Sequence, residues 1–419
     1  MSIKLRLTIM SFLQFFVWGA WLIIVGTYCH NAIGWSFAQF GAMFSTLALA
    51  SLFMPALTGI IADKWLNAER LYGILHIVYG LILFYVPKVD DPGTLYYVIF
   101  GAMICYMPTI SLSNSIAYTI LKRDGFDVVK VFPSIRVWGT IGFIVAMWCT
   151  NLSGSKDNSN QFIIGAVGAI ILGIFSFTLP KCPPPKSIAK DAGFAEQMGL
   201  QAFKLFGNYK MALFFLFSML LGAALQLTNM YGDSFLTSFD KIEAFKDSFV
   251  VKYSTIILSI SQMSETLFIL TIPFFLTKFG IKRVMLFAML AWVLRFGLFA
   301  YGDPTAMGTV HIILSCIVYG MAFDFFNISG SLFVETSTDS SIRSSAQGLF
   351  MMMTNGVGAW LGSTVSGMVI GKYYINADGS SNWQGIWFAF AVYALVIAIL
   401  FAVLFKHKHV PEEVATVQH

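Results

Sequence analysis

The sequence predicts an all-α membrane protein with twelve spanning helices in two sets of six. Three observations predict it: the composition, the length of the apolar runs and the placing of the basic residues. Of the 419 residues, 57% are hydrophobic and only 11% charged, against about 25% charged in a soluble domain. With a mean hydropathy of +0.75, the chain has too little polar side chain to coat a water-soluble globule. Aromatic residues reach 16%, with 41 Phe, which suits lipid-facing surfaces and belts at the membrane–water boundary.

Apolar runs fall near 8–29, 37–62, 69–88, 94–121, 132–152 and 160–179, then near 209–237, 251–277, 281–301, 307–334, 343–371 and 384–406. Each is close to the roughly 20 residues that cross a bilayer core as a helix. The stretch from Lys181 to Lys210 is the long polar break, and it contains Pro183, Pro184 and Pro185. It divides the chain into a six-helix half (1–180), a linker (181–208), a second six-helix half (209–406) and a tail (407–419). Phe194, Met198 and Leu205 recur in the linker at helical spacing, predicting a short helix lying on the membrane surface. No small-residue cleavage site follows the first apolar core, so the first span is expected to be retained.

Basic residues orient these spans. Of the 26 Lys and Arg, all but Arg136 and Arg295 lie at or beyond span ends. With the N-terminus inside, the outer segments hold Lys88, Lys156, Lys241, Lys246, Lys252 and Lys372, and the cytoplasmic segments hold the other eighteen. This is a strong positive-inside asymmetry. It also accounts for the net charge of +5, so no nucleic-acid partner is expected. The five cysteines lie far apart, which argues against a disulfide framework and a metal site; no cofactor is expected. Six plus six helices about a cytoplasmic loop is the plan of the major facilitator carriers. An echo between Pro55 to Asp63-Lys64 and Pro273 to Lys278 supports an internal repeat.

Ionisable groups at membrane depth are costly and face a cavity or a partner. The sequence count places four there: Arg136, Glu265, Arg295 and Asp324. In the major facilitator plan the first, fourth, seventh and tenth helices line the cavity, flanked by the second, fifth, eighth and eleventh. Arg136, Glu265 and Asp324 fall on such helices, whereas Arg295 in the ninth reads as snorkelling or structural. Uncharged polar groups accompany them at helix-face spacing: Thr140 with Arg136, Gln226 with Asn229, Gln262 with Glu265. Tyr319, Phe323 and Asn327 share a face of the tenth span, with Asp324 about 100° round from Phe323. Gln14, Trp18 and Asn114 are lesser candidates.

Polar residues in membrane helices also serve as glue between helices. Gln14, Asn114 and Asn355 divide evenly between that role and binding, while the Gln226/Asn229 and Gln262/Glu265 pairs favour binding. The pairs Gly358–Gly362 and Gly367–Gly371 read as packing, and Asp63-Lys64 as support for an inner gate or loop. Amides offer both donors and acceptors, matching sugar hydroxyls or a nucleobase edge, and Tyr319 and Phe323 can stack on a flat ring. Desolvation favours a neutral carboxyl, so Glu265 or Asp324 is placed to take up and release a coupling proton. These residues alone indicate a proton-linked carrier of a polar organic solute. They go no further.

Longer stretches carry a resemblance. SFLQFFVWGAWL (11–22), MPALTGIIADKW (54–65), FPSIRVWGTIGFIVAMW (132–148) and FSMLLGAALQLTNMYG (217–232) are followed by SISQMSETLFILTIPFF (259–275), LRFGLFAYGDP (294–304), VYGMAFDFFNISGSLFVE (318–335) and RSSAQGLFMMMTNG (343–356). In these the chain resembles the nucleoside:proton symporters of the major facilitator superfamily, the group of bacterial nucleoside and xanthosine permeases. The resemblance implies inward nucleoside uptake driven by protons across the inner membrane. It implies substrate contact by Arg136, Thr140, Gln226, Asn229, Gln262, Glu265, Tyr319, Phe323 and Asp324. The basic residues put both termini in the cytoplasm, the membrane-depth carboxyls Glu265 and Asp324 are the expected proton-coupling groups, and a monomer is expected.

Two alternatives stand beside it. One is a proton-coupled carrier of another polar solute, a sugar or a drug; an efflux pump is expected to have a more apolar cavity and acids in its first half. The other is a transporter-like sensor, which commonly carries a soluble output domain that the short tail leaves little room for. An enzyme is not expected, since no nucleophile–base pair, metal cluster or phosphate loop is present.

Overall fold

A computed structural model describes residues 1–184, 200–339 and 342–408, with backbone only for Asp63, Val129, Lys130, Leu200, Arg343 and Ser344. The chain divides into two compact units, Met1–Met198 and Gly199–His419. Phe194 and Met198, which suggested a surface helix, lie outside the described residues. Leu205 falls in a short 3-10 helix, Leu200–Gly207.

The first unit holds α1 (Ile3–Gly19), α2 (Phe37–Lys64), α3 (Ala68–Tyr85), α4 (Pro92–Arg123), α5 (Val128–Leu152) and α6 (Asn160–Ser176). The second holds α7 (Tyr209–Ser238), α8 (Ser254–Ile269), α9 (Ile272–Ala300), α10 (Ala306–Ser337), α11 (Ala359–Tyr373) and α12 (Trp383–Leu404). A backbone crossing lipid must satisfy its polar groups internally, which selects helices. Short polar residues set where they begin. Ser36 makes a reciprocal capping box with Gln39, Asp91 accepts from Thr94 N at 2.7 Å ahead of Pro92, and Asn208 accepts from Lys210 N and Met211 N; each satisfies donors that a helix start leaves open.

Eight of the helices are long and apolar enough by themselves to cross a membrane. The other predicted spans appear as shorter or interrupted helices. The first span continues α1 through a turn into Val25–Thr27 and a π-helical turn, Tyr28–Ala32. The sixth is α6, with 17 residues. The eighth starts as α8 and runs on through residues 272–279 to Gly280, whose φ of 75° and ψ of 167° break α9. The ninth span is therefore the part of α9 after that glycine, because only a residue without a Cβ adopts such a φ readily. The eleventh is Arg343–Met351, a π-helical stretch Met352–Gly358, and α11.

Without a hydrophobic drive between helices in lipid, close backbone approach and polar links hold such bundles together. A Cβ on Gly142 would stand 2.1 Å from Phe12 O, and one on Gly19 2.5 Å from Phe143 O; α1 and α5 touch backbone to backbone. The second unit repeats the device between α7 and the eleventh span. There a Cβ on Gly222 would stand 2.0 Å from Thr354 O, one on Gly358 2.2 Å from Met219 O, and one on Gly362 2.6 Å from Ala223 Cα. Gly358 and Gly362 thus pack as expected, but a Cβ on Gly371 would meet nothing within 4 Å. The Gly367–Gly371 spacing is not a close contact on its C-terminal side.

Gln14 settles as glue. Fully buried, it donates to Thr109 Oγ1 at 2.9 Å and accepts from Tyr72 OH at 2.5 Å, tying α1 to α4 and α3. In the first turn of α3, Glu69 accepts from Cys182 N at 2.8 Å and Ala68 N donates to Cys182 O at 3.0 Å. The segment after α6 is thereby pinned to the start of α3.

Candidate functional site

In the second unit one contact positions the candidates from two helices. A Cβ on Gly320 would lie 2.6 Å from the backbone C and O of Ser264 and 2.7 Å from Glu265 N. This bare patch lets α10 press onto α8 at the level of Glu265. Ser264 seals the approach by donating its hydroxyl to Ile317 O. Because α8 is so near, the Gln262 amide comes within hydrogen-bonding reach of the Tyr319 hydroxyl, and Glu265 and Asp324 come within its electrostatic range. Glu265, Gln262 and Phe323 are half-buried, whereas Asp324 is 6% and Tyr319 4% exposed.

Aromatic faces form the second element. Tyr319 and Phe323 lie one turn apart with ring planes at 12° and centroids 6.3 Å apart. Trp292 of α9 meets Tyr319 edge-on at 5.9 Å. Phe323, Trp292, Leu225 and Asn327 wall a small hollow of about 20 Å³, which opens beside the Gln226 turn of α7. Gln226 and Asn229 are half-buried, and neither side chain makes a hydrogen bond among the described residues. Groups bound up as glue would be satisfied, as Gln14 is. These two are not.

Arg295, read from the helix order as snorkelling or structural, takes the structural role: it is 1% exposed, so it does not reach toward water. Its Nη1 donates to Ser315 O at 2.7 Å and its Nε to Thr228 Oγ1 at 3.4 Å. The guanidinium lies 4.8 Å from the Tyr319 ring centroid and 4.7 Å from that of Phe299. It joins α7, α9 and α10 directly behind the candidate residues.

The sequence count also missed Asp233, which lies inside the seventh span. It is fully buried and accepts from Ser254 Oγ at 2.6 Å, Thr255 Oγ1 at 3.3 Å and Thr237 Oγ1 at 3.5 Å. The Ser-Thr pair that starts α8 was the available signal. Asn355 has one weak contact, to Met351 Sδ at 3.9 Å. Asn114, half-buried on α4, makes no hydrogen bond among the described residues.

In the first unit, Arg136 and Thr140 are half-buried one turn apart on α5. The Arg136 guanidinium lies over the Phe15 ring at 4.1 Å, a cation–π contact made possible where Gly139 and Gly142 let α1 approach. Trp18, on the same helix, lies against Tyr106 with ring centroids 5.6 Å apart. The Asp63 side chain lies outside the described residues.

Comparison with known proteins places this arrangement. The family model described as nucleoside H+ symporter matches residues 1–410. The chain is 52% identical to the xanthosine permease of Escherichia coli (strain K12), over 99% of this chain and 98% of that protein. It is 52% identical to the nucleoside permease NupG of the same organism, over the full length of both. The crystal structure of the nucleoside transporter NupG superposes with a TM-score of 0.91, covering 97% of this chain and all of that one. A D-xylose-proton symporter, 16% identical, shares the fold with a TM-score of 0.70, covering 98% of this chain and 99% of that one. With its family model matched from end to end of the helical core, this multi-pass membrane protein of the major facilitator fold belongs to the nucleoside H+ symporter family.

Proposed function

We propose that the chain carries nucleosides inward across the inner membrane, coupled to protons, by alternating access. The observation that carries this reading is the pair of uncommitted amides, Gln226 and Asn229, on the helix beside the Tyr319–Phe323 rings and the carboxyls of Glu265 and Asp324. Free amides offer the donors and acceptors that a ribose or a base edge requires. Parallel aromatic faces suit a flat base. Xanthosine and nucleoside permeases are the relatives at 52% identity, and the same substrate class is assigned to this chain.

In this reading Gln226, Asn229, Gln262, Tyr319 and Phe323 hold the nucleoside, with Arg136 and Thr140 of the N-terminal half as further groups for its polar edge. Glu265 or Asp324 takes the coupling proton: neutralising a carboxyl at membrane depth lowers the cost of carrying the loaded site through the cycle. Both termini and the 181–208 linker are cytoplasmic, following the basic residues, and the working unit is a single chain.

Uptake of labelled uridine into proteoliposomes, with and without an inward proton gradient, tests the reading. Accumulation that an uncoupler abolishes is expected. Absence of both uridine and purine nucleoside uptake by folded protein overturns the substrate class.

A further inference from the structure

A second hollow lies further along α10. The one beside Phe323 is about 20 Å³; the other is about 580 Å³, within the roughly 300–1,000 Å³ typical of small-molecule sites. Asn327 stands in the wall of both, so the two are neighbours along the helix. Phe323, Asn327, Ser331 and Glu335 follow one another at i, i+4 on a ridge that slants around the helix. That ridge runs about 18 Å toward the C-terminal end of α10, the end that the basic residues place on the cytoplasmic side.

The wall is largely apolar, with Ile272, Leu276, Ile328 and Leu332 in it, and Asn327, Ser331, Glu335 and Gln347 set a polar strip into that lining. Ser331 Oγ donates to Gln347 Oε1 at 3.1 Å, and Gln347 Nε2 donates to Ser331 O at 2.8 Å. The Asn327 amide makes no hydrogen bond among the described residues. Glu335 contributes a half-buried carboxyl, and Phe350 a ring. Amide, hydroxyl, carboxyl and aromatic face are the same chemistry found around Tyr319, repeated about 12 Å further on.

We propose that this cavity is a second, inner nucleoside-binding station, occupied after substrate leaves the site at Phe323. The inference rests on the nucleoside reading above. Ribose hydroxyls donate to Glu335 and to the Asn327 carbonyl oxygen, and the base lies against Phe350. Affinity is weaker than at the first site, because Ser331 and Gln347 already satisfy each other and gain less from a ligand. A weak station suits release, which a tight one would slow.

Equilibrium binding of radiolabelled uridine to the full chain in lipid nanodiscs tests this. The parent is expected to show a tight and a weak saturable class. Ser331→Leu and Ile328→Trp each fill the cavity from its wall, and two plugs guard against one that fails to fold. Either plug is expected to lose the weak class, keep the tight one and slow uridine efflux from preloaded vesicles several-fold. A single class in the parent overturns the station. So does a weak class that survives both plugs, or loss of the tight class in both. If neither uridine nor adenosine binds the parent at all, the nucleoside reading falls as well, a result distinct from loss of the weak class alone.

Discussion

The Arg295 guanidinium lies 4.8 Å from the Tyr319 ring centroid while its Nη1 donates to Ser315 O at 2.7 Å. The cation is thus held by a backbone carbonyl one turn before the tyrosine on α10, and the ring can rotate only by breaking the contact. A buried guanidinium is planar, permanently charged and rich in directional donors. It fixes Tyr319 from behind, leaving the stacked Tyr319–Phe323 pair as the proposed face for substrate.

Replacing Arg295 therefore acts through Tyr319. Arg295→Lys keeps the charge but loses the planar fork and the stacking. It is expected to weaken uridine binding by about 1–2 kcal/mol, in the range of a buried cation–π contact. Arg295→Leu should weaken it further, because Ser315 O and Thr228 Oγ1 lose their donors. Binding isotherms on both variants check this; unchanged affinity in both would remove Arg295 from the site.

Gly320 sets the distance between α8 and α10. A Val side chain there must push against the Ser264–Glu265 backbone, and backbone cannot rotate aside as a flexible side chain does. Overpacking of this kind costs about 1–3 kcal/mol. Gly320→Val is expected to lower thermal stability and to cut uptake more than Gly371→Val, where a Cβ meets nothing within 4 Å. Thermal melts of the two variants in detergent give the comparison directly.

The free amides make a sharper case. Gln226→Ala or Asn229→Ala leaves a substrate polar group unpaired, at about 1–2 kcal/mol, or roughly five- to thirtyfold in Kd. Stability should not fall, because neither side chain bonds another described residue. Gln14→Ala serves as the contrast, since it strips partners from Thr109 and Tyr72 and should destabilise the chain.

The proposed coupling carboxyls separate from the proposed binding groups by what their replacement changes. Glu265→Gln or Asp324→Asn keeps the shape and removes the titratable proton. Loss of gradient-driven accumulation is expected, with nucleoside exchange at zero gradient retained. Accumulation at parental levels in both variants would exclude both as the coupling site.

The twelve spans were legible because most apolar runs are bounded by a basic residue or a capping Ser, Asn or Asp, as at Ser36, Lys122, Asn208 and Lys372. Their interruptions were not. The π-helical stretch Met352–Gly358 depends on Gly358 meeting Met219 O across the bundle, and no local pattern encodes that. The structural reading of Arg295 agrees with its burial, but its partners were not readable: helix order locates a Cα, whereas the long side chain carries its charge several ångströms further, to Thr228, Ser315 and Tyr319. Asp233 stands in the run 209–237 and was countable there; what the sequence did not show is that Ser254 and Thr255 of another helix satisfy it. The candidate pairs could be picked out because helix periodicity alone puts Gln226 with Asn229 and Gln262 with Glu265 on common faces.

Cys182 tests the knot at the end of α6. Burial, with the Glu69 carboxylate beside it, pushes its thiol up to about 11, only partly opposed by Arg123. The ordinary value is 9.0, so between these pH values the folded chain keeps a proton that the unfolded chain has released. Folded-state stability therefore falls as pH rises through that window. Below it Cys182 stays a neutral thiol, 4% exposed, and a thiolate is the reactive form. Maleimide is expected to spare Cys182 at pH 7 and to label it as the pH approaches 11. Glu69→Gln removes the neighbouring charge and weakens the acceptor for Cys182 N. Two effects follow in the same direction: a lower thiol pKa, and a looser segment that opens the site to reagent. Both predict faster labelling than in the parent at pH 9, read by mass spectrometry of the peptide that contains Cys182. Equal rates would mean that the segment after α6 is held by its backbone bond to Ala68 alone.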